Sequence, residues 1–210
     1  MITSILLIAL LSSVRARFIG EGNVVEIVAF GEGRCRDTTY WFKHHLLPMW
    51  KIFGSSGRIN LTYHPYGLKT MCIDTENGDI SCKCHHGDRE CLLNQLQSCV
   101  IDALPRTEDH LPYVGCIQGK ENATVAGNEC FNQPGLSRKQ MMECATGRKG
   151  KKLFWGHEAA KLEYAPDNYW VPWVIINGKR IKEGESDLWQ LLCDRFLHPR
   201  PIECPRRSFY

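Results

Sequence analysis

Eleven cysteines cannot all pair within one chain, and this chain of 210 residues carries eleven. A chain so rich in cysteine belongs to an oxidising compartment, where thiols close as disulfides. Cys72, Cys82, Cys84, Cys91, Cys99, Cys116, Cys130, Cys144, Cys193 and Cys204 can pair completely, which leaves Cys35 over. Parity alone does not name the leftover sulfur; its setting does.

The apolar, β-branched run over residues 24–30 predicts a buried strand. Segment 40–50, with Phe42, Leu46, Met49 and Trp50 on one face, predicts a helix. Between them, Gly33-Arg34-Cys35-Arg36-Asp37-Thr38 puts Cys35 at the strand-to-helix turn. There it faces unpaired backbone N–H groups and the positive end of the helix dipole, with Arg36 adding charge. All three favour the thiolate, which is the reactive form. A redox pair would carry its second cysteine at position 38, and this chain has Thr38 there.

Residues 5–11 are apolar but too short to span a bilayer, and Val14-Arg15-Ala16 offers what a signal peptidase reads. A signal peptide over residues 1–16 is expected, with a mature domain over 17–210 and no membrane span after cleavage. The sequons Asn60-Leu61-Thr62 and Asn122-Ala123-Thr124 make Asn60 and Asn122 glycosylation sites on that route. A hydrophobic content of 43% excludes a disordered chain, and a net charge of +3 is too small to imply nucleic acid. The basic run 148–152 reads as a solvated loop.

Further along, Pro48 should kink or end the first helix. Residues 58–63 alternate as a second strand. Cys72 and Cys82 flank an Asn77-Gly78 turn, the pattern of a disulfide-held hairpin. Residues 90–104 predict a helix with Leu92, Leu96, Cys99, Val100 and Ala103 on one face; 111–116 are ambiguous. Ser137 and Gln140 form a capping box for a helix that ends at Gly147, and another helix is expected over 157–163. Pro172 opens an apolar strand, Asn177-Gly178 turns it back, and Ser186 caps a last helix. Cys193 on that helix and Cys204 beyond it form the local disulfide pair. The order is α/β and thioredoxin-like, with a large disulfide-rich, mainly helical insertion over roughly 70–165. In such folds a proline opening this strand is commonly cis and packs beside the reactive cysteine, which makes Pro172 a substrate-binding residue. An ordinary trans proline at a strand start is the alternative reading.

The run Cys84-His85-His86-Gly87-Asp88-Arg89-Glu90-Cys91-Leu92-Leu93-Asn94-Gln95-Leu96-Gln97-Ser98-Cys99 resembles a family signature. It is C-Q-H-G-x-x-E-C-x-x-N-x-x-x-x-C, of the gamma-interferon-inducible lysosomal thiol reductases. Every fixed position is kept except the glutamine, which is His85 here. Residues 24–30 with Cys35, Asn60 with Pro65-Tyr66-Gly67, Cys144, the Pro172 strand and Cys193 to Cys204 also resemble the family. The resemblance implies reduction of protein disulfides in acidic compartments by a C-x-x-C pair: the first cysteine attacks and the second releases the product. On this chain Cys35 matches the attacker, and Thr38 stands where the resolver belongs. A hydroxyl cannot break a mixed disulfide, although that of Thr38 can donate a hydrogen bond to the thiolate. Turnover then needs an external low-molecular-weight thiol, and no bound cofactor is expected. The implied partners are disulfide-containing proteins, and the implied destination is the lysosome or secretion. A non-catalytic binding protein on the same fold is the competing reading. Zinc on Cys82, Cys84, His85, His86 and Cys91 is set aside in favour of disulfides, so no metal is expected. His86 is expected to cap or hydrogen-bond within the cross-linked turn.

Overall fold

The apolar run after residue 24 becomes β1 (Val25–Phe30), an inner strand of a four-stranded sheet in this computed structural model, which describes residues 22–205. The signal peptide expected over 1–16 lies outside those residues. β2 (Ile59–His64) pairs parallel with β1, with Val25 opposite Ile59. On the other side β5 (Trp173–Ile176) runs antiparallel, with Ile27 opposite Ile176. The Asn177-Gly178 turn then returns the chain as β6 (Lys179–Arg180). Both turn residues have positive φ, 49° and 74°, which is why asparagine and glycine occupy them.

After Cys35 the chain enters α1 (Arg36–Trp41), a π-helical stretch Phe42–Leu46, and α2 (Leu47–Phe53), without a break. Pro48 does not end this run. It sits in the first turn of α2, where the wider π turn upstream spares it a normal i−4 bond. Trp41, Phe42, Leu46 and Met49 pack with Ile27, Leu61 and Val174 from the sheet in one core.

Between β2 and β5 come a hairpin and five helices. β3 (Met71–Asp74) and β4 (Ile80–Lys83) form the hairpin. The helices are α3 (Asp88–Ala103), α4 (Thr107–Ile117), α5 (Ala123–Cys130), α6 (Arg138–Thr146) and α7 (Arg148–Tyr164). α3 packs against each of the other four. It is therefore buried on several sides, with Leu93, Asn94, Gln97 and Ser98 inside as well as Leu96 and Val100, while Ala103 is exposed. A one-face reading of α3 fails because its neighbours surround it.

Other expectations are corrected. Residues 148–152 are the first turn of α7 and not a solvated loop. Arg148 donates to the Gly78 carbonyl at 3.0 Å, and Lys151 pairs with Asp79 at 2.6 Å. Gly147 is the C-cap of α6 as expected, its N–H donating to the Glu143 and Cys144 carbonyls at 3.1 and 3.2 Å. It is extended, at φ −90°, and serves as a joint from which α7 starts at once. The helix expected over 157–163 is the end of α7. Residues 111–116 are helical within α4, despite Pro112. The last helix, α8 (Leu188–Leu191), is capped by Asp187, whose carboxylate accepts the Gln190 N–H at 3.4 Å; Ser186 closes the preceding 3-10 turn.

Five disulfides join Cys72–Cys82, Cys84–Cys91, Cys99–Cys144, Cys116–Cys130 and Cys193–Cys204. Cys35 is the free cysteine among the described residues. No helix among them is long and apolar enough to cross a membrane.

Candidate active site

Cys35 ends the loop after β1 and is the N-cap of α1, with φ −65° and ψ 128°. Its N–H donates to the Glu32 carbonyl at 3.2 Å, and its own carbonyl accepts the Thr39 N–H at 3.0 Å. Sγ lies 3.9 Å from the carbonyl oxygen of Val171. The Val171–Pro172 peptide is cis, and both residues are buried. The loop that opens β5 therefore lies against the thiol through Val171, the residue before the cis Pro172.

Thr38 is fully buried one turn on, and its hydroxyl accepts the Glu32 N–H at 3.4 Å. The loop is braced from the insertion as well. Asn94 Oδ1 accepts the Gly33 N–H at 2.7 Å, and Gln118 Nε2 donates to the Glu32 carbonyl at 2.8 Å. A Cβ at Gly33 would come within 2.8 Å of Asn94 Oδ1, so glycine is what lets α3 approach. The signature asparagine is thus a support for the thiol loop.

Cys35 is only 8% exposed, and burial pushes its thiol up from the ordinary value. The backbone N–H and hydroxyl of Thr38 and the Asp37 N–H pull it down, and nearby Glu32 pushes it up. The net direction is upward. The expectation of a depressed pKa is therefore corrected: desolvation outweighs the helix terminus that the sequence made visible.

A cavity of about 250 Å³ opens beside the sulfur, lined by Glu32, Cys35, Asp37, His85, His86 and Trp170 among others. Glu32 is fully buried, and burial with the neighbouring Glu90 pushes its carboxyl up to about 8. Its Oε1 accepts the Leu68 N–H at 2.5 Å. His86 hydrogen-bonds within the cross-linked turn, as expected: its N–H donates to Glu90 Oε1 at 3.1 Å and its Nδ1 lies 2.5 Å from Glu90 Oε2, with Glu90 inside the loop that Cys84–Cys91 closes. Sequence reasoning missed Glu32, and its signal was slight: one acidic residue between two glycines, three before Cys35. Cys82, Cys84 and Cys91 are oxidised, so the zinc set that included them does not exist.

The sequon asparagines lie away from this cavity. Asn60 is exposed on edge strand β2, with its amide donating to Glu26 at 2.7 Å. Asn122 is partly buried and caps α5, accepting the Val125 N–H at 3.0 Å.

The chain matches the family model described as gamma interferon inducible lysosomal thiol reductase (GILT) over residues 26–134. A GILT-like protein of Caenorhabditis briggsae is 56% identical over 209 residues, covering 99% of this chain and 95% of that protein. A GILT-like protein of Caenorhabditis elegans is 58% identical over 192 residues, covering 90% and 88%. The gamma-interferon-inducible lysosomal thiol reductase of Mus musculus is 30% identical, covering 82% and 68%. Among solved structures, Chlamydia trachomatis DsbA superposes with a TM-score of 0.56 at 14% identity, covering 76% of this chain and 77% of that one. DsbG from Mycobacterium tuberculosis gives 0.51 at 10% identity, covering 75% and 71%. These two likenesses show the fold, which is thioredoxin-like.

Proposed function

Because the chain belongs to the gamma-interferon-inducible lysosomal thiol reductase family, we propose that it is a thiol–disulfide oxidoreductase that works with one sulfur, that of Cys35. The observation that carries the reading is the free Cys35 at the start of α1, 3.9 Å from the Val171 carbonyl, with Thr38 in place of a second thiol. The Cys35 thiolate attacks one sulfur of a protein disulfide, and the other sulfur leaves as a thiolate and takes up a proton. The product is a mixed disulfide between Cys35 and the substrate. Thr38 offers no second sulfur, so an external thiol must attack that mixed disulfide. Two external thiols are oxidised to one disulfide for each substrate disulfide reduced, which balances the electrons. Return attack by the substrate's own thiol gives isomerisation instead. No bound cofactor takes part.

The proposal includes passage through the secretory pathway to the lysosome or the exterior, with sugar at Asn60 and Asn122. Five disulfides suit an oxidising compartment, and Asn60 is exposed for a glycan.

A second reading is a binding protein that holds its partner without turnover. It is favoured by the burial of Cys35 and by the exposed Trp170 that lines the cavity, 45% exposed. A disulfide-reduction assay with excess dithiothreitol or glutathione separates the two. Activity that disappears in Cys35→Ser and rises in Thr38→Cys supports the enzyme. No activity, with no mixed disulfide trapped on Cys35, leaves the binding protein.

A further inference from the structure

His85, the one departure from the signature within residues 84–99, lines the same cavity as Cys35. Its Nδ1 lies 3.4 Å from Glu32 Oε2, and the Nδ1 of His86 lies 3.3 Å from the same oxygen. Glu32 is fully buried, and Oε2 takes part in no hydrogen bond. One donor atom from each of the three residues lies within 4.8 Å of the others. Zinc bonds of about 2.0–2.2 Å at a tetrahedral angle separate neighbouring ligand atoms by about 3.3–3.5 Å. Both separations from Glu32 Oε2 fall within or beside that range. The imidazole side chains are 35% and 37% exposed, which gives an ion a path from solvent.

We propose that Glu32, His85 and His86 form a binding site for a zinc-class divalent ion at the mouth of the Cys35 cavity. Two imidazoles and one carboxylate suit zinc or its first-row neighbours and not calcium or magnesium, which prefer oxygen alone. Three protein ligands leave a fourth position open. Glu90 competes for His86 in the free site. An ion must displace that contact or take His86 through its other nitrogen, with Glu90 then orienting the ring from behind. The inference does not depend on thiol chemistry, and the ion is not a reactant in disulfide exchange.

The test is calorimetric titration with Zn²⁺ near neutral pH, on the untagged, disulfide-intact chain carrying Cys35→Ser so that no free thiol contributes. Binding of one ion is expected, weakened by about tenfold or more in Glu32→Gln and in His85→Gln, since even an outer-shell partner is worth about 10–100-fold. His85→Gln installs the residue of the family signature, so it keeps the fold if the buried Glu32→Gln does not. Melting of each variant without zinc checks this. Absence of binding in the parent overturns the site, as does unweakened binding in folded His85→Gln.

Discussion

Nδ1 of His64 and Nδ1 of His157 lie 2.9 Å apart, joining β2 to α7. One ring donates and the other accepts, so at least one must be neutral. Nε2 of His157 also meets Ser98 Oγ at 3.2 Å, which ties the pair to α3.

This pair makes the protein sensitive to acid. Burial holds His64 down from 6.5 to about 4, and burial with the adjacent His64 holds His157 down to about 3. Both folded values lie below the unfolded value. At these two sites the unfolded chain therefore binds more protons in this window, and their contribution to stability is lost as pH falls from about 6.5 toward 4. Glu32, raised to about 8, works the other way over this window, so the pair shows as a difference: the urea midpoint of the native chain should fall further between pH 7 and pH 5 than that of His157→Gln. An equal change in the variant would remove the pair as a cause.

Alkylation of Cys35 should be slow and should quicken with pH to a half-point above the ordinary thiol value of 9.0. Thr38→Val removes the hydroxyl that favours the thiolate and should move the half-point further up, while Thr38→Ser should leave it in place. A half-point below the ordinary value in the native chain would contradict the burial argument.

Asn94→Ala removes the acceptor of the Gly33 N–H inside the protein. An unsatisfied buried donor costs about 1–3 kcal/mol, so the urea midpoint should fall accordingly. The Cys35 loop also loses its brace, and the thiol should alkylate faster than in the native chain. Unchanged stability and reactivity would mean that Asn94 is not a support.

The disulfides should differ in worth according to the loop each closes. Cys99–Cys144 spans 45 residues and Cys84–Cys91 spans 7. Loop-closure entropy then predicts a loss of about 4 kcal/mol for Cys99→Ala/Cys144→Ala and about 2.5 kcal/mol for Cys84→Ala/Cys91→Ala. Denaturant titration of the two double variants gives the order; a reversed order would mean that local packing around Cys84 dominates.

What the sequence determined by itself is local. The apolar run before Cys35, the Asn177-Gly178 turn and the Pro172 strand are readable because backbone preference and side-chain period act between near neighbours. The signature over residues 84–99 pointed to the family, and the odd number of cysteines marked one sulfur as unpaired. The helix terminus at Cys35 was readable too, and it pointed toward a thiolate. Tertiary structure decided otherwise, because desolvation sums over every element packed on the sulfur, from the Val171 loop to Glu32. The meeting of Glu32 with His85 and His86 was equally out of reach. More than fifty positions separate them along the chain, and the electrostatic interaction between them depends on distance in space. The surroundings of α3 follow the same logic: a single-helix pattern cannot register that four other helices enclose it.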